Sequence, residues 1–457
     1  SAALIVVVVA GSFAFAEVVL IKAVGLGVAI AVALDATVVR ALLVPSTMRL
    51  LGEWNWWLPD RLRRWVSTRL PVNEGAALGA ALLGLVAVLL LAGCSPSGRV
   101  LGNDPPVPVP LPVRTPGVTR APDPQPVVLP RDDAPHDRLT EWWYYTGHLR
   151  SDDDRRFGFE FVVFRAERGA FPVSWASHLA LTDESGGRFL YDQRSEIGPR
   201  VDREAGSGFD LAIHGDAIPG VGDPDATPWT MSGAGGRDEL AASGNASDGS
   251  AFGLRLSVDS GTGPVALHDS DGYVDFGPAG GSYYYSRTRM ETQGTLTLDG
   301  EDLAVQGEAW FDHQWGDFIA VGGGGWDWFA VNLDDGTDLT ISLVRSADGS
   351  FPLVYGTLVG PDGAVEHLPR ERFTVSATDE WTSEATGATY PAGWRIDVPS
   401  EGLVIDLSPT VPEQELDTRS TTGVVYWEGS QRVTATRDGE PLTGEAYVEL
   451  TGYGPPP

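Results

Sequence analysis

The sequence predicts an all-β protein, two tandem antiparallel units preceded by transmembrane α-helices. Three observations carry that reading. Charge divides the chain: of its 32 basic and 62 acidic residues, seven and five lie before Cys94, so a segment of net charge +2 precedes one of net charge -32. The first part holds long apolar runs, whereas the second holds short runs of β-branched and aromatic residues between Gly, Asp and Pro turns. An aromatic motif also occurs twice in the second part.

Residues 2–21 carry one charge, Glu17, and the apolar run resumes from Ala23 to Leu34 and on to Val44. Stretches of this length cross a hydrocarbon core of roughly 30 Å, so two helices are expected within residues 1–70. Trp54, Trp56 and Trp57, followed by Arg61, Arg63, Arg64 and Arg69, form an aromatic belt and a positive cluster of the cytoplasmic type. Residues 71–94 hold a third apolar run that ends Leu91-Ala92-Gly93-Cys94. Basic residues, a short apolar core and small residues before a cysteine describe a lipoprotein signal with Cys94 as the lipidation point. An uncleaved third helix is the alternative. Both topologies place everything after Cys94 outside the cytoplasm. Residues 95–130 contain 11 of the 33 prolines and read as an extended linker.

Residues 131–300 and 301–457 are expected to form the two β domains. FGFEFVVF (157–164), GTLTLDG (294–300), DLTISLVR (338–345) and AYVELTGY (446–453) read as strands that end in tight turns. The repeated motif is Glu141-Trp142-Trp143-Tyr144-Tyr145, closing at Phe164-Arg165, against Gly325-Trp326-Asp327-Trp328-Phe329, closing at Val344-Arg345. Glu141 and Asp327 are its equivalent polar positions, with Arg165 and Arg345 as expected ion-pair partners.

Composition excludes several functions. A net charge of -30 with one lysine in the whole chain disfavours nucleic-acid binding, which needs clustered Lys and Arg, and one cysteine leaves no disulfide framework. The seven histidines show no HxH or HExxH spacing, so no metal site is expected; no G-x-S-x-G elbow occurs either. Eleven of the 15 tryptophans follow Arg131, enough to line cores and an apolar pocket of the kind barrel interiors hold. Within Trp310-Phe311-Asp312-His313-Gln314-Trp315, strand alternation sends Asp312 to the face of Trp310 and His313 to that of Trp315. A carboxylic acid kept protonated among aromatics can give its proton to an alkene or enol. Candidate catalytic residues are therefore Asp312, His313 and Asp327. Candidate substrate-binding residues are Trp142, Tyr144, His178, Tyr285, Trp315, Trp326 and Trp328. No cofactor is required.

Two resemblances add to this. DATVVR and NWWLP, within Gly25–Pro59, resemble the C-terminal end of MMPL-family transporters of the resistance-nodulation-division type. LPRDDAPHDRLTEWWYYTGHL, GEAWFDHQWGDF, GWDWFAVNLDDGTDL and YVELTGY resemble the carotenoid 1,2-hydratase and AttH-like group, over residues 127–453. That likeness implies two tandem lipocalin-like antiparallel β-barrels acting on an apolar isoprenoid-like or polyketide-like small molecule by cofactor-free acid catalysis. It implies Asp312 as proton donor, with His313 and Trp315 beside it and Tyr285 lining the cavity. The alternative is a non-catalytic lipoprotein that carries an apolar ligand or membrane lipid for an MMPL-type transporter. Either way the expected location is the cell membrane, with the C-terminal region extracytoplasmic.

Overall fold

A computed structural model describes residues 122–215, 227–318 and 323–454. The expected helices, the expected lipidation point Cys94 and the proline-rich linker up to residue 121 lie outside the described residues. Among the described residues no helix is long and apolar enough to cross a membrane.

Among the described residues twenty-two strands form two antiparallel sheets. At the centre of the first, β1 (Thr140–Ser151) lies between β2 (Arg156–Ala166) and β12 (Glu301–Gly316). Outward on one side follow β3 (Ser174–Asp183) and β4 (Arg188–Ile197), and on the other β11 (Gly281–Leu298), β8 (Ala251–Asp259), β7 (Arg237–Asn245), β6 (Trp229–Ala234) and β5 (Phe209–Ile213). Its edges nearly meet, because Glu196 on β4 accepts the backbone N–H of His214 just past β5. The second sheet has β13 (Gly323–Leu333) between β14 (Asp338–Ser346) and β22 (Glu440–Thr451). Beyond these lie β15 (Leu353–Val359) and β16 (Val365–Pro369) on one side, and β21 (Val425–Arg437), β19 (Leu403–Pro409), β18 (Thr389–Val398) and β17 (Thr374–Thr382) on the other. It curls into a half-barrel.

The two strand orders correspond over nine strands, β1–β4 to β13–β16, β6–β8 to β17–β19 and β11–β12 to β21–β22, as a duplication of one unit predicts. β5 has no counterpart, and short strands add to β11 (β9, Ala266–Leu267, and β10, Tyr273–Asp275) and to β21 (β20, Glu415–Asp417). The last hairpin of each unit repeats the same turn. Asp299-Gly300 and Asp438-Gly439 all have positive φ, the geometry a two-residue hairpin needs to match strand twist. One expectation is corrected here. β12 pairs with β1 and β11, so the first unit runs to Gly316, past the expected boundary at residue 300.

Each barrel has its own core. Trp143, Tyr145, Phe157, Phe159, Phe161 and Trp175 help fill the first, and Phe329, Ile341, Trp394, Ile405, Trp427 and Val448 the second. The alternate residues of the central strands are buried too, because the outer faces of the two units meet. Tyr144, Val162, Trp310, Trp328, Ala330 and Tyr447 form the layer between them. A strand covered on both faces reads as an almost continuous apolar run, which is why FGFEFVVF scarcely alternates. Gly158 is held small by this contact, since a Cβ there would stand 2.7 Å from the Cβ of Ser430 on the other unit. A bulge in β11 between Arg287 and Met290 turns residues across the seam, where Thr288 donates to Asp338 at 2.6 Å and Arg289 pairs with it at 2.7 Å.

Candidate active site between the two barrels

The cavity with the strongest claim to a ligand lies in that seam and not inside a barrel. It measures about 450 Å³ and is lined by Trp142, Tyr144, Glu160, Phe164, His178, Tyr284 and Asp312 of the first unit, with Trp326, Trp328, Tyr355, Tyr426 and Glu449 of the second. The expected intra-barrel pocket is thereby corrected, since both interiors are filled by their own aromatic side chains. A larger cleft of about 830 Å³ is open and walled by charged groups such as Arg156, Glu184, Arg237 and Glu308, so it suits an apolar ligand poorly.

Asp312 sits in the seam cavity, 3% exposed. Oδ1 accepts from the Trp310 indole at 2.7 Å and from the Ser286 hydroxyl; Oδ2 accepts from Tyr284, whose oxygen in turn accepts from the Trp328 indole at 3.0 Å. Burial pushes the Asp312 carboxyl up to about 6, against the pull of these three donors. Three more carboxyls share the seam. Burial raises Glu449 to about 7, opposed by a bond from Trp326 and reinforced by the charge of Asp312. Glu160 rises to about 8, mainly by burial, although Tyr426 donates to it at 3.0 Å. Glu428 rises well above the usual range through burial and through the charges of Glu160 and Glu449. Tyr144 donates to Glu428 at 2.7 Å. His178 bonds Tyr426 at 2.7 Å and Thr421 at 3.1 Å, and burial depresses it to about 3, so it is neutral. The site therefore stores protons on carboxyls near neutral pH.

Of the residues expected at a site, Asp312, Trp142, Tyr144, His178, Trp326 and Trp328 line this cavity, and Trp326, 39% exposed, marks its mouth. His313, Tyr285 and Trp315 do not. They point into the first barrel, where His313 bonds Glu141 at 3.0 Å. Asp327 points into the second barrel, paired with Arg345 at 3.2 Å and bonded to Tyr453, with burial lifting it to about 6. The Arg345 pairing is as expected, but the Glu141–Arg165 pairing is corrected. Glu141 bonds His136 and His313, while Arg165 pairs with Glu167 at 2.5 Å.

Sequence reasoning missed Glu160, Glu428 and Glu449, along with His268, which bonds Ser286 at 2.7 Å behind Asp312, and from the run Tyr283-Tyr284-Tyr285 it singled out Tyr285 where Tyr284 faces the cavity. A signal existed for some. An acid inside an otherwise apolar run, as in FEFVVF and YVELTGY, is costly unless its site uses it. Tyr284 shares the strand parity of Ser286, which faces Asp312 across β11 and β12, whereas Tyr285 has the opposite parity.

The fold and site define a two-unit, lipocalin-like β protein with an acid-lined cavity between its units. The chain belongs to the AttH-like family, whose model matches residues 120–453. An AttH-type crystal structure from Nitrosomonas europaea is 29% identical with a TM-score of 0.61, covering 72% of this chain and 98% of that one. Kievitone hydratase from Nectria haematococca shares the fold at 16% identity and a TM-score of 0.55, covering 71% and 93%. Residues 1–73 match the MMPL family. Over 74 residues they are 51% identical to the trehalose monomycolate exporter MmpL3 of Mycobacterium tuberculosis, which is 16% of this chain and 8% of the exporter. The chain thus spans under a tenth of the length of that transporter.

Proposed function

We propose that this protein is a cofactor-free hydratase-type lyase that adds water to, or removes it from, an apolar isoprenoid-like or polyketide-like molecule held between its barrels. The observation that carries this is the pair of carboxyls, Asp312 and Glu449, contributed by different units to one aromatic cavity. Asp312, fixed by three donors, is the acceptor for a proton of the attacking water. Glu449, poised near neutrality with Trp326 as its donor, is the acid that protonates the double bond. The aromatic faces of Trp142, Trp328 and Tyr355 would stabilise cationic character in the substrate. This reading moves proton donation from Asp312 to Glu449 and leaves His313 and Asp327 outside the chemistry. The fold neighbour in Nectria haematococca is a hydratase, which names the reaction to test first.

The MMPL-like segment and the Leu91–Cys94 lipobox support membrane anchoring with the β units outside the cytoplasm. They also favour a second reading, carriage of an apolar lipid for an MMPL-type transporter. The full chain in detergent, incubated with isoprenoid and polyketide extracts in oxygen-18 water, separates the two by mass spectrometry. Label incorporation lost in both Asp312→Asn and Glu449→Gln supports the lyase. Incorporation that persists in both variants overturns it, and recovery of bound but unchanged lipid with no incorporation supports carriage.

A further inference from the structure

Behind the cavity, on the inner face of β1 and β12, three metal-ligating side chains converge, two from neighbouring positions and one from far along the chain. His136 comes from the lead-in before β1, Glu141 from β1 and His313 from β12, and their donor atoms all lie within 4.8 Å of one another. Nδ1 of His136 is 2.7 Å and Nε2 of His313 is 3.0 Å from the same oxygen, Oε1 of Glu141. We propose that this trio is a binding site for a divalent transition-metal ion, zinc first among them, with two imidazoles and one carboxylate oxygen as protein ligands and a fourth position for water.

The surroundings are those of a prearranged site. Oε2 of Glu141 accepts the backbone N–H of His136 at 2.9 Å, so Oε1, the oxygen both imidazoles face, is the one placed to act as a single-oxygen ligand. The outward nitrogen of each ring has an orienting partner: Nε2 of His136 faces Asp132 at 3.8 Å, and Nδ1 of His313 faces the Tyr285 hydroxyl at 3.4 Å. Partners of this kind fix ring orientation and raise ligand basicity. The rings are also clamped by stacking, His136 on Trp315 at 4.1 Å and His313 on Trp143 at 4.7 Å. Zinc takes nitrogen and oxygen ligands at about 2.0–2.2 Å in a tetrahedron, which needs donors spaced roughly 3.3 Å apart. The two nitrogen–oxygen spacings, 2.7 and 3.0 Å, would have to open by a few tenths of an ångström, and the two ring nitrogens, within 4.8 Å of each other, would have to settle at the same spacing. The His136 side chain is 20% exposed whereas Glu141 and His313 are sealed, so an ion enters past His136. Bound there, it would pin the N-terminal lead-in to the barrel and brace the β1–β12 pair whose opposite face carries Asp312.

The test uses the tag-free full chain in detergent, stripped with chelator and titrated with zinc or cobalt(II). One equivalent of zinc by elemental analysis and a tetrahedral cobalt absorption band are expected. His136→Gln, at the exposed ligand, should weaken zinc binding by more than 10-fold. Asp132→Asn, a positioning residue, should weaken it about 10-fold. A folded wild-type chain that binds no zinc, cobalt, manganese or iron(II) at millimolar concentration overturns the proposal. So does zinc affinity unchanged in a folded His136→Gln chain. Both readouts are independent of any activity in the seam cavity.

Discussion

Replacing Glu160 with Gln tests whether the seam holds its carboxyls protonated. Glu160 is fully buried, its carboxyl rises from 4.5 to about 8, and Oε2 has no hydrogen-bond partner among the described residues. Below pH 4.5 the folded and unfolded chains both carry this proton and it has no effect on stability. As pH rises toward 8 the unfolded chain releases the proton while the folded chain retains it, so stability falls across that window. At about 1.4 kcal/mol per pH unit, the shift corresponds to a ceiling of roughly 5 kcal/mol. Proton uptake by the neighbouring Glu428 and Glu449 relieves part of the repulsion, so about 2–3 kcal/mol is expected. Gln keeps an acceptor for Tyr426 and does not ionise. Denaturation of wild type and Glu160→Gln, followed by tryptophan fluorescence at pH 5 and pH 8.5, gives the double difference. The variant should match wild type at pH 5 and exceed it at pH 8.5. A gap that is the same at both pH values would refute the protonated seam.

Other perturbations follow from the same contacts. Tyr144→Phe removes the hydroxyl that donates to buried Glu428 and should cost about 1–3 kcal/mol by denaturation. Arg287→Met leaves Asp133, 0% exposed, without its cation in the first barrel, and a loss of about 3–5 kcal/mol is expected; a loss under 1 would mean the pair is not buried as described. Gly158→Ala pushes against Ser430 across the seam and should lower stability by about 1–3 kcal/mol while weakening ligand retention in the cavity. Asp327→Asn should lower thermal stability through Arg345 and Tyr453 yet leave ligand binding in the seam unchanged, which a ligand titration will show.

Much of the fold was legible because its signals are local. Asp-Gly turns, alternating strands and the repeated aromatic motif each involve a few neighbouring residues, and together they gave two β units. Alternation likewise places Asp312 and His313 on opposite faces, since strand side chains alternate regardless of context. The boundary at residue 300 misplaced β12 because the Asp299-Gly300 turn looks like a domain end, whereas it is the hairpin of two paired strands. Register was not legible: Tyr284 and Tyr285 differ only in which faces Asp312, and that depends on pairing between β11 and β12.

The sequence by itself determined the β texture, the duplication, the family and the division between an apolar N-terminal segment and an acidic C-terminal one. It also carried the identity of a carboxyl among tryptophans as a chemical suspect. Only the tertiary structure decided which side of each sheet is a packed interior and which is a cavity, because both faces of the central strands are equally apolar. It alone joined Asp312 to Glu449, 137 positions apart in the chain, and His136 and Glu141 to His313. Proximity of that kind comes from the packing of two sheets and the closure of one, and no local pattern of residues encodes it.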